Sequence, residues 1–145
     1  MRTDWPTRRT ASALALSLML RVGAIASLAD PALAAVALIA AHAGARATLP
    51  VFMRRVPTAR QDGLSAEAGE PPQASSALAV AIGLIVLLLC LGFSATLIAL
   101  VLLVASLGFM AWLSISQIGG QTGDVLGAVE QISEILILLV ATVWL

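Results

Sequence analysis

The residues most capable of chemistry form a glycine-rich segment that runs into carboxylates, GGQTGDVLGAVEQISE at residues 119–134. Glycines let a backbone approach a ligand closely, and successive free N–H groups can form an anion-binding nest for phosphate. Thr122 or Asp124 can cap the helix that follows, whose positive end also favours phosphate. This pattern predicts a phosphate site at the start of a helix.

Four residues of that helix, Gly123, Gly127, Glu130 and Glu134, recur at helical spacing and share one face. They form a notch of small residues that leads to two carboxylates one turn apart. Together with Asp124, the two glutamates could hold Mg²⁺, which prefers carboxylate oxygen and retained water. A structural role fits the same residues, with Asp124 as a helix cap, the glycines as a turn and both glutamates in the hydrated interface.

Glu134 is followed by only eleven residues. The last helix can therefore span a membrane only if Glu134 lies at or below the headgroups, close to one interface and to the glycine-rich segment. A carboxylate at that depth is costly, and it is by default a functional hypothesis.

Other polar residues give weaker signals. Arg54 and Arg55 could contact a phosphate, although a pair of arginines beside a membrane is more typical of a topology signal. Arg46 follows His42 by one helical turn, so both could face the same cleft, although a lone histidine is more typically a packed, hydrogen-bonded residue. Arg21 interrupts an apolar run, and we expect it to snorkel or to face the bundle interior.

The composition determines which elements must position these residues. The 145 residues are 60% hydrophobic and 11% charged, with a mean hydropathy of +1.02 and no formal net charge. Soluble domains are nearer half apolar and a quarter charged. The composition therefore excludes a disordered chain, a nucleic-acid binder and a disulfide scaffold, and it predicts an integral membrane protein that contacts the lipid bilayer.

The apolar runs predict an all-α, polytopic membrane helix bundle of about five transmembrane helices, in one integral membrane domain over residues 1–145. A 40-residue apolar stretch is too long for one crossing, and it divides at the Gly-Phe-Ser of residues 92–94. The predicted spans are residues 11–29, 31–45, 76–91, 95–115 and 129–145.

The arginines predict the orientation. Three arginines precede the first span and four lie in a loop over residues 46–75, and two crossings place both segments on one side. The positive-inside rule makes that side cytoplasmic, together with the amino terminus and a Gly-rich loop over residues 116–128. A secretory signal cleaved after the A-L-A of residues 32–34 is a competing interpretation, but Arg21 interrupts its hydrophobic region.

Two segments resemble a known family. Residues 119–134 closely resemble the carboxy-terminal signature of cobalamin synthase, the adenosylcobinamide-GDP ribazoletransferase family of vitamin B12 assembly. A second stretch is similar to the family's helix-Arg-x-x-x-P-x-x-M pattern and DGL-type loop: HAGAR at residues 42–46, then LPVFMRRVPTARQDGLSAEAG. With the hydrophobic layout, the resemblance covers nearly the whole chain.

The resemblance implies a magnesium-dependent enzyme of the bacterial cytoplasmic membrane. Such an enzyme joins adenosylcobinamide-GDP to the hydroxyl of α-ribazole or of its 5′-phosphate, with release of GMP. Its candidate catalytic residues here are Asp124, Glu130 and Glu134, with Asp124 and Glu130 as candidate Mg²⁺ ligands. The candidate substrate-binding and phosphate-binding residues are Gly119, Gly120, Thr122, Gly123, Gly127, Arg46 and Arg54.

The sequence also departs from the family pattern. The family's amino-terminal acidic block, D-G-x-x-D-T-x-D-G, and a following D-S-x-x-G-x-x-G segment are absent. The chain is therefore expected to be the carboxy-terminal part of a longer enzyme, inactive alone and dependent on a separately encoded half or on a homo-oligomer. The alternatives are a non-catalytic scaffold of a cobalamin-assembly complex and a small helical transport subunit, whose acids would lie near the bilayer midplane beside broken helices.

Overall fold

The computed structural model describes residues 5–59 and 69–145 and contains four helices there. They are α1 (Trp5–Ser27), α2 (Pro31–Arg55), α3 (Gln73–Ile118) and α4 (Gly123–Trp144). All four are long and apolar enough to cross a membrane. The predicted all-α polytopic bundle is confirmed, with a helix count of four in place of about five.

The difference in count comes from α3, whose 46 residues include one non-helical residue, Gly92, with φ 76° and ψ 177°. A straight helix of this length would measure about 69 Å, more than twice the hydrocarbon thickness of a bilayer. Both ends of α3 nevertheless lie beside the end of α2. Just before α3, the carbonyl of Pro71 accepts a hydrogen bond from Arg54 at 2.8 Å. Just after α3, the amide of Gln121 donates to the carbonyl of Pro57 at 2.8 Å. The helix therefore doubles back at Gly92, where the sequence predicted a division.

The second helix is longer than predicted. It begins at Pro31, capped by the carboxylate of Asp30, and continues ten residues past the predicted span to Arg55. Residues 46–55 of the predicted cytoplasmic loop are therefore helical, as are residues 73–75. Pro50 removes only one backbone hydrogen bond, and the buried side chains of Phe52 and Val56 hold the last turns against the bundle.

The predicted Gly-rich loop over residues 116–128 is also mostly helical. Only residues 119–122 separate α3 from α4, because the Thr122 side chain accepts from the amide of Val125 and starts α4 six residues before the predicted span. Glu134 consequently lies in the middle of α4, about 16 Å along the axis from Gly123, and is deeper than the sequence suggested.

Small residues hold the bundle together. The alanines of α2 pack without exposed surface against Leu87 of α3 and Ile137 of α4. Gly44 and Gly83 sit where α2 and α3 nearly touch, and a Cβ on Gly83 would lie 2.5 Å from that of Ala47. Close approach through small residues is how helices associate where lipid offers no hydrophobic driving force. The first helix packs chiefly on α4.

Candidate functional site

Five charged or titratable side chains from three helices converge on one side of α4. We call this set the polar cluster: Arg21 of α1, His42 and Arg46 of α2, and Glu130 and Glu134 of α4. Its two glutamates are one helical turn apart, as the sequence predicted, and each of them faces a basic side chain of another helix. The cluster thus has two parts, an inner one at Glu134 and an outer one at Glu130.

The inner part is an ion pair buried in the helix bundle. Nη2 of Arg21 lies 2.7 Å from Oε2 of Glu134, whose side chain is only 6% exposed. Buried in this way, Glu134 does not lie in a hydrated interface, and the expectation that Arg21 faces the bundle interior is confirmed. Among apolar helices each of these two charges is tolerable because the other one neutralises it.

The second oxygen of Glu134 faces histidine. Nδ1 of His42 lies 3.6 Å from Oε1 of Glu134, and 55% of the His42 side chain is exposed. The sequence favoured a packed, hydrogen-bonded role for this histidine. In the structure its ring lies between a buried carboxylate and the open side of the bundle.

The outer part of the cluster is open. Nε of Arg46 lies 3.6 Å from Oε1 of Glu130, and the side chains are 75% and 28% exposed. His42 and Arg46, one turn apart on α2, therefore face successive glutamates along one side of α4. Gly127 lies on the same face, and a Cβ there would meet nothing within 4 Å.

The glycine-rich turn does not form the predicted nest. The amides of Gly119, Gly120 and Gln121 donate to the carbonyls of Ile115, Ser114 and Pro57 at 3.1, 3.2 and 2.8 Å, so they are not free for phosphate. The residues bring two chain segments together, because Gln121 bridges Thr58 and a Cβ on Gly120 would overlap the Pro57 carbonyl. The sequence did not predict this backbone pairing, because no local pattern marks residues 57–59 as the partner of the turn at Gln121.

The amino-terminal turn of α4 is more open than the glycine-rich turn before it. Thr122 caps the helix, and intrahelical bonding leaves the amides of Gly123 and Asp124 open. Gly123 is exposed, and a Cβ added there would meet no atom within 4 Å, so the turn is accessible to a ligand. Phosphate binding at Thr122, Gly123 and Gly127 stays a prediction.

The predicted magnesium ligands are separated. Asp124 is exposed on the first turn of α4, about 9 Å along the axis and 120° around it from Glu130. Within residues 5–59 and 69–145 no group of three His, Cys, Asp or Glu side chains could hold a metal ion. Glu130 and Glu134 also face basic partners. The described residues therefore do not by themselves fit a magnesium site.

The two predicted phosphate-binding arginines lie apart, eight residues along α2. Arg46 belongs to the polar cluster, whereas Arg54 pairs with Glu70 at 3.1 Å near the end of the helix. Arg54, Arg55 and Gln121 contribute to the wall of a cavity of about 640 Å³ there. Arg60 and the DGL-type part of the loop lie outside the described residues.

Comparison with known proteins agrees with the resemblance. The family model for cobalamin-5-phosphate synthase matches residues 10–142. A Bradyrhizobium diazoefficiens protein named adenosylcobinamide-GDP ribazoletransferase is 56% identical over 129 residues, which are 89% of this chain and 50% of that protein. Relatives with the same name from Mesorhizobium japonicum and Azorhizobium caulinodans are 47% and 42% identical over 133 and 135 residues, 92% and 89% of this chain and 51% of each relative. The chain thus spans about half the length of these relatives, and no solved structure matches it.

Proposed function

This chain belongs to the cobalamin-5-phosphate synthase family, and we propose that it forms about half of an adenosylcobinamide-GDP ribazoletransferase. In the proposed reaction, a hydroxyl of α-ribazole or of its 5′-phosphate attacks the cobinamide-linked phosphorus, and GMP leaves. The single observation that carries the proposal is the match to a transferase family over residues 10–142. The open polar side of α4 is where we place the chemistry.

The chain's own residues supply charge and positioning for this reaction. The exposed guanidinium of Arg46 can contact a phosphate oxygen of the pyrophosphate, and the open first turn of α4 offers two amides and a positive helix end. Fixed donors of this kind offset the charge on a transferred phosphoryl group. Arg54 lies near Gln121 at the same end of the bundle and would act on a more distant part of the substrate.

Magnesium remains a proposal for the assembled enzyme. Asp124 takes part in no ion pair within the described residues and is exposed, so it is the carboxylate that this chain could contribute to a metal. Further oxygen ligands would have to come from outside the described residues, and the acidic block absent from this chain is the proposed source. Bound magnesium would offset charge on the pyrophosphate.

We also propose the cytoplasmic membrane as the location, with residues 57–59 and 119–122 on the cytoplasmic side. The transport alternative gains little from the structure. Glu134 lies at mid-helix, but α4 is continuous through it, so the broken helix that is typical of transporter sites is not present at the cluster.

The test supplies the missing half of the enzyme. The chain is expressed with the part of the Bradyrhizobium diazoefficiens relative that it does not match, in a host without its own transferase. Membranes then receive adenosylcobinamide-GDP and α-ribazole, and mass spectrometry measures cobalamin and GMP. We expect product only when both polypeptides are present. No product, even from a genetic fusion of the two, refutes the proposed function and favours the scaffold alternative.

Asp124→Asn tests the site in the same assay. It should abolish transfer while the protein stays in the membrane at the wild-type level. Asp30→Asn is the matched control, since Asp30 also begins a helix and asparagine caps as well as aspartate does. Wild-type turnover by Asp124→Asn would remove Asp124 from the site.

A further inference from the structure

His42 is the single histidine of the chain, and its ring lies between two different environments. Nδ1 faces the buried carboxylate of Glu134, and over half of the side chain is exposed on the open side of the bundle. Nε2 has no hydrogen-bond partner within residues 10–59 and 69–145. The two ring nitrogens are therefore distinguished by the fold.

Glu134 is itself held in place. Its Oε2 accepts a hydrogen bond from Arg21 at 2.7 Å, and its other oxygen, Oε1, lies 3.6 Å from Nδ1 of His42. A carboxylate accepts hydrogen bonds only, so the proton of a neutral His42 is favoured on Nδ1. The 3.6 Å separation is slightly long for a hydrogen bond, as is common for catalytic contacts before a substrate binds.

Within residues 10–59 and 69–145, the other charged groups near the ring do not compete for Nδ1. Arg46 lies one turn further along α2 and pairs with Glu130 of α4. Arg21 of α1 is engaged with Glu134, and α3 contains no charged residue. Which ring nitrogen of a neutral histidine carries the proton depends on the hydrogen bonds that the two nitrogens make, and Glu134 is the acceptor that lies nearest to Nδ1.

We propose that Arg21, Glu134 and His42 form a relay that keeps the His42 proton on Nδ1 and presents Nε2 as a proton acceptor. This inference rests on the proposed function, in which the acceptor is an alcohol. The hydroxyl oxygen forms a bond to the cobinamide-linked phosphorus as the bond to the GMP oxygen breaks. GMP leaves with that electron pair, and the hydroxyl proton passes to Nε2. Arg21 and Glu134 are positioning residues in this step.

The tautomer can be measured on the chain alone. One histidine gives one pair of ¹⁵N resonances, recorded for the full chain in lipid nanodiscs at alkaline pH, where an imidazole is neutral. We expect a protonated Nδ1 and an unprotonated Nε2. The double variant Arg21→Met/Glu134→Leu removes the relay without stranding a buried charge, and the proton should leave Nδ1. Glu130→Gln is the matched control and should leave both resonances unchanged.

The transfer assay tests the catalytic part. His42→Gln should lower the transfer rate by about 100-fold or more, the contribution typical of a positioned base, whereas Asp30→Asn should not change it. Activity of His42→Gln within threefold of wild type overturns the proton-acceptor role. A wild-type spectrum with the proton on Nε2, or one that the double variant does not alter, overturns the relay. If the spectrum supports the relay but the wild-type assembly makes no product, the proposed function fails and the relay geometry stands.

Discussion

The ion pair between Arg21 and Glu134 should carry much of the stability of the contact between α1 and α4. Their side chains are 21% and 6% exposed, and the two residues are 113 positions apart in sequence. Removing one partner of a buried pair leaves an uncompensated charge and typically costs 3–5 kcal/mol. Because Arg21 keeps partial exposure, we expect Glu134→Gln to cost about 3 kcal/mol, the lower end of that range.

The double variant measures the interaction energy between Arg21 and Glu134 separately from the effect of each single substitution. Arg21→Met should also destabilise the chain, whereas Arg21→Met with Glu134→Gln should cost less than the sum, because no charge is left unpaired. The coupling energy should be about 2 kcal/mol, within the range found for contacting residues. Equilibrium unfolding in mixed micelles, followed by the fluorescence of the three tryptophans, measures each free energy of unfolding.

The outer pair of the polar cluster is the matched control. Arg46 and Glu130 are 3.6 Å apart and far more exposed, so Glu130→Gln should cost about 0.2–1 kcal/mol. The reasoning is refuted if the Glu134 and Glu130 substitutions cost the same, or if the inner single variants add without coupling. Either result would mean that Glu134 is hydrated in the folded chain.

Three further predictions concern the backbone and the topology. Gly120→Ala should separate residues 57–59 from the turn before α4 and lower the unfolding midpoint, because the added Cβ would overlap the carbonyl of Pro57. Gly127→Ala is the control: its Cβ would enter open space, so the substitution should be neutral or stabilise the chain by up to about 1 kcal/mol. Gly83→Ala should loosen α2 from α3, measured as faster amide hydrogen exchange in α2, whereas Gly108→Ala should not; equal exchange in both would contradict the close packing. A cysteine at position 58, in a chain whose own cysteine is replaced, should react with a membrane-impermeant maleimide only from the cytoplasmic side, and labelling from outside would invert the proposed topology.

Several sequence-based expectations failed where tertiary packing overrode a local signal. The arginines that begin at Arg46 suggested that the second helix ends near residue 45, but the buried side chains of Phe52 and Val56 accompany its extension to Arg55. Successive glycines suggested an anion nest, but the amides of Gly119 and Gly120 donate to carbonyls at the end of α3, and the next amide, that of Gln121, donates to the carbonyl of Pro57, 64 residues away. A local sequence pattern predicts which conformations and hydrogen bonds a segment can form. The fold decides which distant residue packs against that segment or accepts its hydrogen bonds.

The sequence by itself determined that this protein is an all-helical membrane protein, because hydropathy and helical spacing are properties of single segments and need no knowledge of the fold. It predicted a polytopic helix bundle, the division of the long apolar stretch at Gly92, and the shared face of Glu130 and Glu134. Only the tertiary structure decided what those carboxylates face. Arg21 and His42 reach Glu134 from two other helices, and no spacing rule relates residues so far apart in sequence. The physical reason is that a charge buried among apolar helices must find its partner across the bundle, and helix packing alone determines which side chain is close enough.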